Sequence, residues 1–187
     1  MLEIRWHGRG GQGAVTAAKM LAAAALREGK EFQAFPEYGP ERRGAPVQVF
    51  TRISDEPVRT FSYVTEPNMI VILDPGLIGK VPVTDGLTED GIVVANYRGT
   101  PQELRKAMGL KGRKICTVDA TSVAMRTMGR AITNTPMLGA VVKASGAVSL
   151  EEAIDEVRHV FEDRFGPKVA EANVEAVKVA YAETQSE

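Results

Sequence analysis

The chain has 187 residues, 23 Lys+Arg against 24 Asp+Glu for a net charge of −1, and 44% hydrophobic residues. At about 150 residues per domain this is a single domain over residues 1–187, too apolar for a disordered chain and too evenly charged to call for nucleic acid or an anionic membrane as partner. Its one cysteine, Cys116, excludes an internal disulfide and the cysteine sets that hold an iron–sulfur cluster or a Cys-based zinc site.

The first thirteen residues lack the continuous apolar core of a signal peptide, and the most apolar runs, such as Met69 to Leu73, are far too short to span a bilayer. A soluble, cytoplasmic protein is expected. Leu2, Ile4 and Trp6 alternate with Glu3, Arg5 and His7, the period of a strand with two unlike faces. After a glycine-rich turn, the Ala/Leu-rich stretch Ala14 to Arg27 predicts a helix ending near Gly29, and Lys30 to Phe35 a second strand. Val47 to Ile53 and Val58 to Val64, separated by Ser54-Asp55-Glu56-Pro57, read as an antiparallel hairpin. Met69 to Leu73, Ile92 to Ala95 and Ile115 to Val118 are uniformly apolar, as strands covered on both faces are. The last third is helical: a helix from Thr135-Pro136 to near Gly146, one capped by Ser149 with Glu152 three residues on, and one after Gly166-Pro167. The fold class is a single three-layer α/β/α domain around a mixed, mostly parallel sheet with an antiparallel hairpin.

Two segments carry chemistry. Gly8-Arg9-Gly10-Gly11-Gln12-Gly13 satisfies G-x-G-x-x-G between a strand and a helix, where backbone N–H groups and the positive helix end attract phosphate. A dinucleotide site also needs an acidic residue at the tip of the second strand, and Glu37 lies past Pro36, in a loop. The second segment, Phe35 to Pro46, sets Arg42 and Arg43 in a loop stiffened by two glycines and two further prolines, where guanidinium groups fork onto phosphate or carboxylate. The bland reading is a solvated turn whose arginines pair with Glu37 and Glu41. If the first two strands are neighbours, both loops leave the same carboxyl edge of the sheet.

On these segments the sequence resembles the gamma subunit of the 2-oxoacid:ferredoxin oxidoreductases, the pyruvate type in particular. The matching residues are Gly10-Gly11-Gln12-Gly13, the long run Gln33 to Val47, Leu73-Asp74-Pro75, Asp119-Ala120-Thr121 and Asn134-Thr135-Pro136-Met137-Leu138-Gly139-Ala140, with Gly76 standing where a threonine or serine is expected. The resemblance implies a chain with no catalytic residue and no metal of its own, inactive alone, in a complex that converts a 2-oxoacid to acyl-CoA. Alpha, beta and delta-type partner subunits would carry thiamine diphosphate and the iron–sulfur clusters and deliver electrons to ferredoxin. This chain would share in the coenzyme A site through Gly10, Gly11, Gln12, Gly13, Glu37, Tyr38, Arg42 and Arg43. Pyruvate is the expected substrate, with a branched-chain 2-oxoacid or 2-oxoglutarate as alternatives. Two other readings stay open: a free-standing oxidoreductase domain binding NAD or flavin, and a purely structural subunit.

The remaining signals have plain readings. His7 is expected to hydrogen-bond locally, His159 to be solvated, and Cys116 to be a small core residue. The basic run Arg105, Lys106, Lys111, Arg113 and Lys114 reads as a solvated face, and the aromatics Phe35, Tyr38, Phe50, Phe61 and Tyr63 as mostly core.

Overall fold

The computed structural model describes residues 1–37 and 43–187. Its seven-stranded sheet has the order β2-β3-β1-β4-β5-β6-β7, where β1 is Leu2–Arg9, β2 Glu31–Pro36, β3 Pro46–Ser54, β4 Met69–Ile72, β5 Ile92–Asn96, β6 Lys114–Val118 and β7 Gln185–Ser186. β1, β4, β5 and β6 pair in parallel, β3 lies antiparallel between β1 and β2, and β7 closes the far edge antiparallel to β6. The helices are α1 (Ala14–Arg27), α2 (Pro101–Met108), α3 (Ala120–Met128), α4 (Asn134–Ser145), α5 (Leu150–Phe165) and α6 (Pro167–Glu183).

The alternation read in the first strand sorts the core into two layers. Ile4 and Trp6 of β1, Met69 and Val71 of β4 and Cys116 and Val118 of β6 join one cluster with α1 and α3 to α6. Ile70 and Ile72, Val93 and Ala95, and Ile115 point the other way, under Leu77, Val83, Leu87 and Leu104 of α2. The layers are therefore unequal: five helices cover one face, and α2 with the chain from Pro75 to Leu87 covers half of the other. Within the thick layer α4 meets α6 closely at Gly139, where any side chain would run into the Val177 backbone.

Over β1 and β3 the second face has no helix among the described residues, and two buried arginines hold loops down in its place. Arg52, 2% exposed, donates to Glu3 Oε1 at 2.7 Å, to Gln33 Oε1 at 3.3 Å and to the Ser62 carbonyl at 2.8 Å, with its guanidinium 6.0 Å from the Phe35 ring. The segment after β3 is thereby pinned across the sheet, and Tyr63 stacks on Phe50 at 5.1 Å. Arg5 binds the Val83 carbonyl at 3.3 Å and the Asp85 carbonyl in the same way.

One expected element is corrected. Residues 58–64 are not a strand but this pinned loop, its Val58, Thr60 and Ser62 carbonyls accepting from the Gln33 and Arg52 side chains instead of from a partner strand; the hairpin partner of β3 is β2, in register from Glu31↔Ser54 to Pro36↔Val49. A smaller shift places Pro136 third in α4 instead of first, with Thr133 as its N-cap. Helices α2 and α3 were not anticipated, although Thr100 with Glu103 forms a complete capping box and Asp119 caps α3 through Ser122.

Arg52→Met leaves Glu3, Gln33 and the Ser62 carbonyl without their donor, so unfolding free energy should fall by about 2–4 kcal/mol and proteolysis near Val58 to Ser62 should accelerate. Chemical denaturation and limited proteolysis of the variant check this; unchanged stability would show that the pinned loop holds without the guanidinium.

Candidate functional site

The insertion of β3 between β1 and β2 brings the two sequence segments together, although β1 and β2 are not neighbours. Both run in the same direction, two antiparallel steps apart, so both end at the same edge. The β1–β3 ladder reaches Arg9↔Pro46 and continues beyond the strands: Gly10 N–H donates to the Ala45 carbonyl at 2.9 Å and Gly44 N–H to the Gly10 carbonyl at 3.0 Å. The glycine turn and the end of the proline-rich loop are thus one hydrogen-bonded unit.

Beside it lies a cavity of about 280 Å³, floored by Gly10, Gly11 and Gly13, open to the first turn of α1 at Ala14 and Val15, and walled by Pro36, Val47 and Val49. Gly13 is the N-cap of α1 in the left-handed region, φ 79°, and among the described residues no side chain caps that helix. Its first-turn N–H groups are left for an external acceptor, and a fourteen-residue helix aims its positive end there. A Cβ on Gly13 would stand 2.7 Å from Asn134 Nδ2, so the position demands glycine for space as well as for φ.

Of the eight residues expected to touch ligand, Gly10, Gly11 and Gly13 line this cavity. Arg43 is exposed, with its stem over Gly11, where a Cβ would lie 3.9 Å from Arg43 Cγ. Glu37 follows β2, exposed, its N–H on the Gln48 carbonyl at 2.9 Å. Tyr38 and Arg42 lie outside the described residues. Gln12 points away from the cavity and braces the turn from beneath, its Oε1 accepting from Arg9 N–H at 2.7 Å and its Nε2 donating to Asp74 Oδ2 at 3.0 Å. Arg9 lines the cavity and is held there by Asp74, Nε to Oδ2 at 2.8 Å, and by the Gly44 carbonyl at 3.0 Å, so its charge is paired within the protein.

Sequence reasoning gave no site role to Asp74 or Asn134. Asp74 anchors Arg9, Gln12 and the N–H of Gly76 together; the signal was the Asp-Pro-Gly stop after a buried strand. Asn134, the first residue of α4, backs onto Gly13.

The other titratable groups are structural. His7 is 4% exposed, below the crevice on the second face, with Arg5 Nε donating to its Nε2 at 3.1 Å. Burial, then the Arg5 charge, pulls its pKa down to about 4. Cys116 is buried in β6, and burial pushes its thiol up. His159 is exposed, 3.9 Å from Asp163. In the basic run, Arg105 binds the Leu110 and Arg113 carbonyls and Glu187, and Arg113 binds the Leu87 and Thr88 carbonyls; two of the five cations are thus spent on holding loops. Phe35, Phe50 and Tyr63 form one stack, whereas Phe61 is exposed. Among the described residues no helix is long and apolar enough to cross a membrane.

Two outcomes test this geometry. Gly13→Ala adds a clash with Asn134 to a disfavoured φ and should cost about 2–4 kcal/mol of stability, read as a lowered Tm; an unchanged Tm would contradict the close approach. His7 binds its proton less tightly folded than unfolded, so its contribution is complete above pH 6.5 and is lost as pH falls toward 4, about 2 kcal/mol by pH 5. Denaturant titrations near pH 7 and pH 5 should show His7→Gln losing less stability across that interval than the parent; equal losses would contradict the assignment.

Comparison with known proteins converges on one family. A profile described as pyruvate ferredoxin/flavodoxin oxidoreductase matches residues 3–183. The pyruvate/ketoisovalerate oxidoreductases common subunit gamma of Pyrococcus abyssi is 49% identical over 185 residues, 99% of this chain and 98% of that one. The crystal structure of pyruvate oxidoreductase subunit PORC from Thermotoga maritima superposes with a TM-score of 0.88 at 44% identity, covering 100% of this chain and 98% of that one. At 21% identity and TM-score 0.79, the fold alone is shared with 30% of the chain of a 2-oxoglutarate:ferredoxin oxidoreductase from Magnetococcus marinus, described with 2-oxoglutarate, coenzyme A and succinyl-CoA bound. This chain belongs to the pyruvate ferredoxin/flavodoxin oxidoreductase family, as a gamma subunit of a multi-subunit 2-oxoacid:ferredoxin oxidoreductase.

Proposed function

We propose that this subunit supplies the phosphate-holding part of a coenzyme A site shared with its partners, in an enzyme that oxidises pyruvate to its acyl-CoA. The observation that carries the reading is the uncapped N-terminus of α1 opening into a cavity floored by glycine backbone. Such a site binds oxyanions through N–H groups and a helix dipole and needs no catalytic side chain. Arg43, with Arg42 next to it in sequence, adds charge. The apolar wall of Pro36, Val47 and Val49 suits the less polar parts of the same molecule. Coenzyme A is among the ligands described for the Magnetococcus marinus enzyme that shares this fold.

The division of labour is the one that family membership implies, and composition permits it. One cysteine cannot ligate a cluster, and in this reading thiamine diphosphate, which supplies the decarboxylation chemistry, and the iron–sulfur clusters that pass electrons to ferredoxin reside on alpha, beta and delta-type subunits. This chain binds and orients: fixing the nucleotide end limits where the thiol can travel, and positioning of this kind contributes several kcal/mol without chemistry. The Pyrococcus abyssi relative is named as common to pyruvate and ketoisovalerate oxidoreductases, which fits a subunit that handles the shared acyl acceptor and leaves the choice of 2-oxoacid to its partners.

The fold speaks against a free-standing NAD or flavin domain. β3 separates β1 from β2, so the acidic strand tip that would hold a ribose beside the glycine turn is displaced by one antiparallel strand. In the assembled enzyme, Arg42→Ala with Arg43→Ala should raise the KM for coenzyme A about tenfold or more while pyruvate KM stays constant. An unchanged coenzyme A KM would favour a purely structural subunit.

A further inference from the structure

On the other side of Asn134 from the glycine turn lies a second and larger cavity, about 510 Å³, between the end of α3, the turn into α4, and the junction of α5 with α6. Its walls are apolar: Met128, Ile132, Phe161, Phe165 and Val169. Three of these are exposed large hydrophobics, Ile132 at 45%, Phe165 at 62% and Val169 at 40%, and Met125, one turn before Met128 on α3, is 51% exposed. Soluble surfaces scatter such residues singly; a gathering of three around one depression marks a surface that is covered in use.

Charge says what covers it. Arg130 and Lys168 stand among the lining residues, with no aspartate or glutamate there. By contrast, Arg126 on α3 and Arg158 on α5 are neutralised within the protein, by Glu183 at 2.7 Å and by Glu171 at 2.8 Å. Among the described residues, neither Arg130 nor Lys168 has such a pair. A depression with an apolar floor and two unmatched cations at its rim complements a bulky apolar side chain flanked by carboxylates. A small ligand lodged in the cavity would leave much of Phe165 in water, whereas a protein segment lying across the opening covers it together with Ile132 and Val169.

We infer that this socket receives a segment of another subunit of the oxidoreductase, one presenting a Leu, Ile or Phe side chain within a helical turn of Asp or Glu. Subunit membership supplies the partner, and the inference stands whether or not the neighbouring cavity binds coenzyme A. Asn134 belongs to both places, lining the socket and backing onto Gly13. A docked segment therefore sits one residue away from the glycine turn.

Cys116 is the chain's one cysteine and is buried, so Ile132→Cys introduces a single accessible thiol. Maleimide should label it in the isolated subunit and at least about tenfold more slowly in the assembled complex. A cross-linker on the same thiol should capture a partner peptide carrying the acidic and apolar residues. Arg130→Glu with Lys168→Glu, both at the rim, should leave the far-UV circular dichroism and Tm of the subunit unchanged and weaken assembly about tenfold or more. Equal labelling rates in the free and assembled subunit, a basic captured peptide, or undiminished assembly of the double variant would overturn the proposal. So would protection that already appears in the isolated subunit and grows with its concentration, since that assigns the socket to a second copy.

Discussion

β3 runs antiparallel between β1 and β2, and the rest of the site depends on that insertion. Its ladder with β1 extends past both strands into the Gly10–Ala45 and Gly44–Gly10 hydrogen bonds. These bonds fasten the start of α1 to the end of the proline-rich loop. Without them the glycine turn would be an isolated strand-to-helix connection, and Arg43 would have no fixed relation to Gly11. Asp74, at the end of β4, completes the brace by holding Arg9 and Gln12. The backbone amides facing the cavity are thus preorganised by neighbouring strands, which reduces the ordering that a ligand must impose on binding.

The same insertion shapes the opposite face. A strand between β1 and β2 widens the sheet beyond the reach of α2, and the uncovered part is closed by loops fastened to buried arginines. Arg5 and Arg52 direct their donors at backbone carbonyls and at Glu3, so the desolvation of each guanidinium is offset by several hydrogen bonds. Neutral His7 accepts from Arg5 in this layer. The proposed coenzyme A site thus lies at one sheet edge, while Arg5, His7 and Arg52 are engaged in holding the fold.

Much of this was legible in the sequence wherever a local pattern decided the outcome. The apolar strands β4 to β6, the alternating first strand, α1 and the Ser149 cap follow from periodicity and capping chemistry, and the glycine turn marked the strand-to-helix connection where the first cavity opens. What local patterns could not provide was pairing. Val58 to Val64 has β-forming composition, yet its carbonyls serve Arg52, a partner fixed only by the sheet. Gln12 resembled a ligand contact because it sits in the motif, and the structure turns it toward Asp74, 62 residues away in sequence. The contact of Asn134 with Gly13 and the socket beside it were invisible because they arise only where separate elements meet in the fold. The remaining expectations about Tyr38 and Arg42 fall outside the described residues.

The central claim, that backbone amides at the start of α1 hold the phosphates of coenzyme A, is tested most directly by amide hydrogen exchange on the assembled complex with and without coenzyme A. The account predicts that exchange slows at Gly11 to Thr16 when coenzyme A is added, with little change in the first turns of α5 and α6. Exchange at Gly11 to Thr16 that is unaffected by saturating coenzyme A would contradict it.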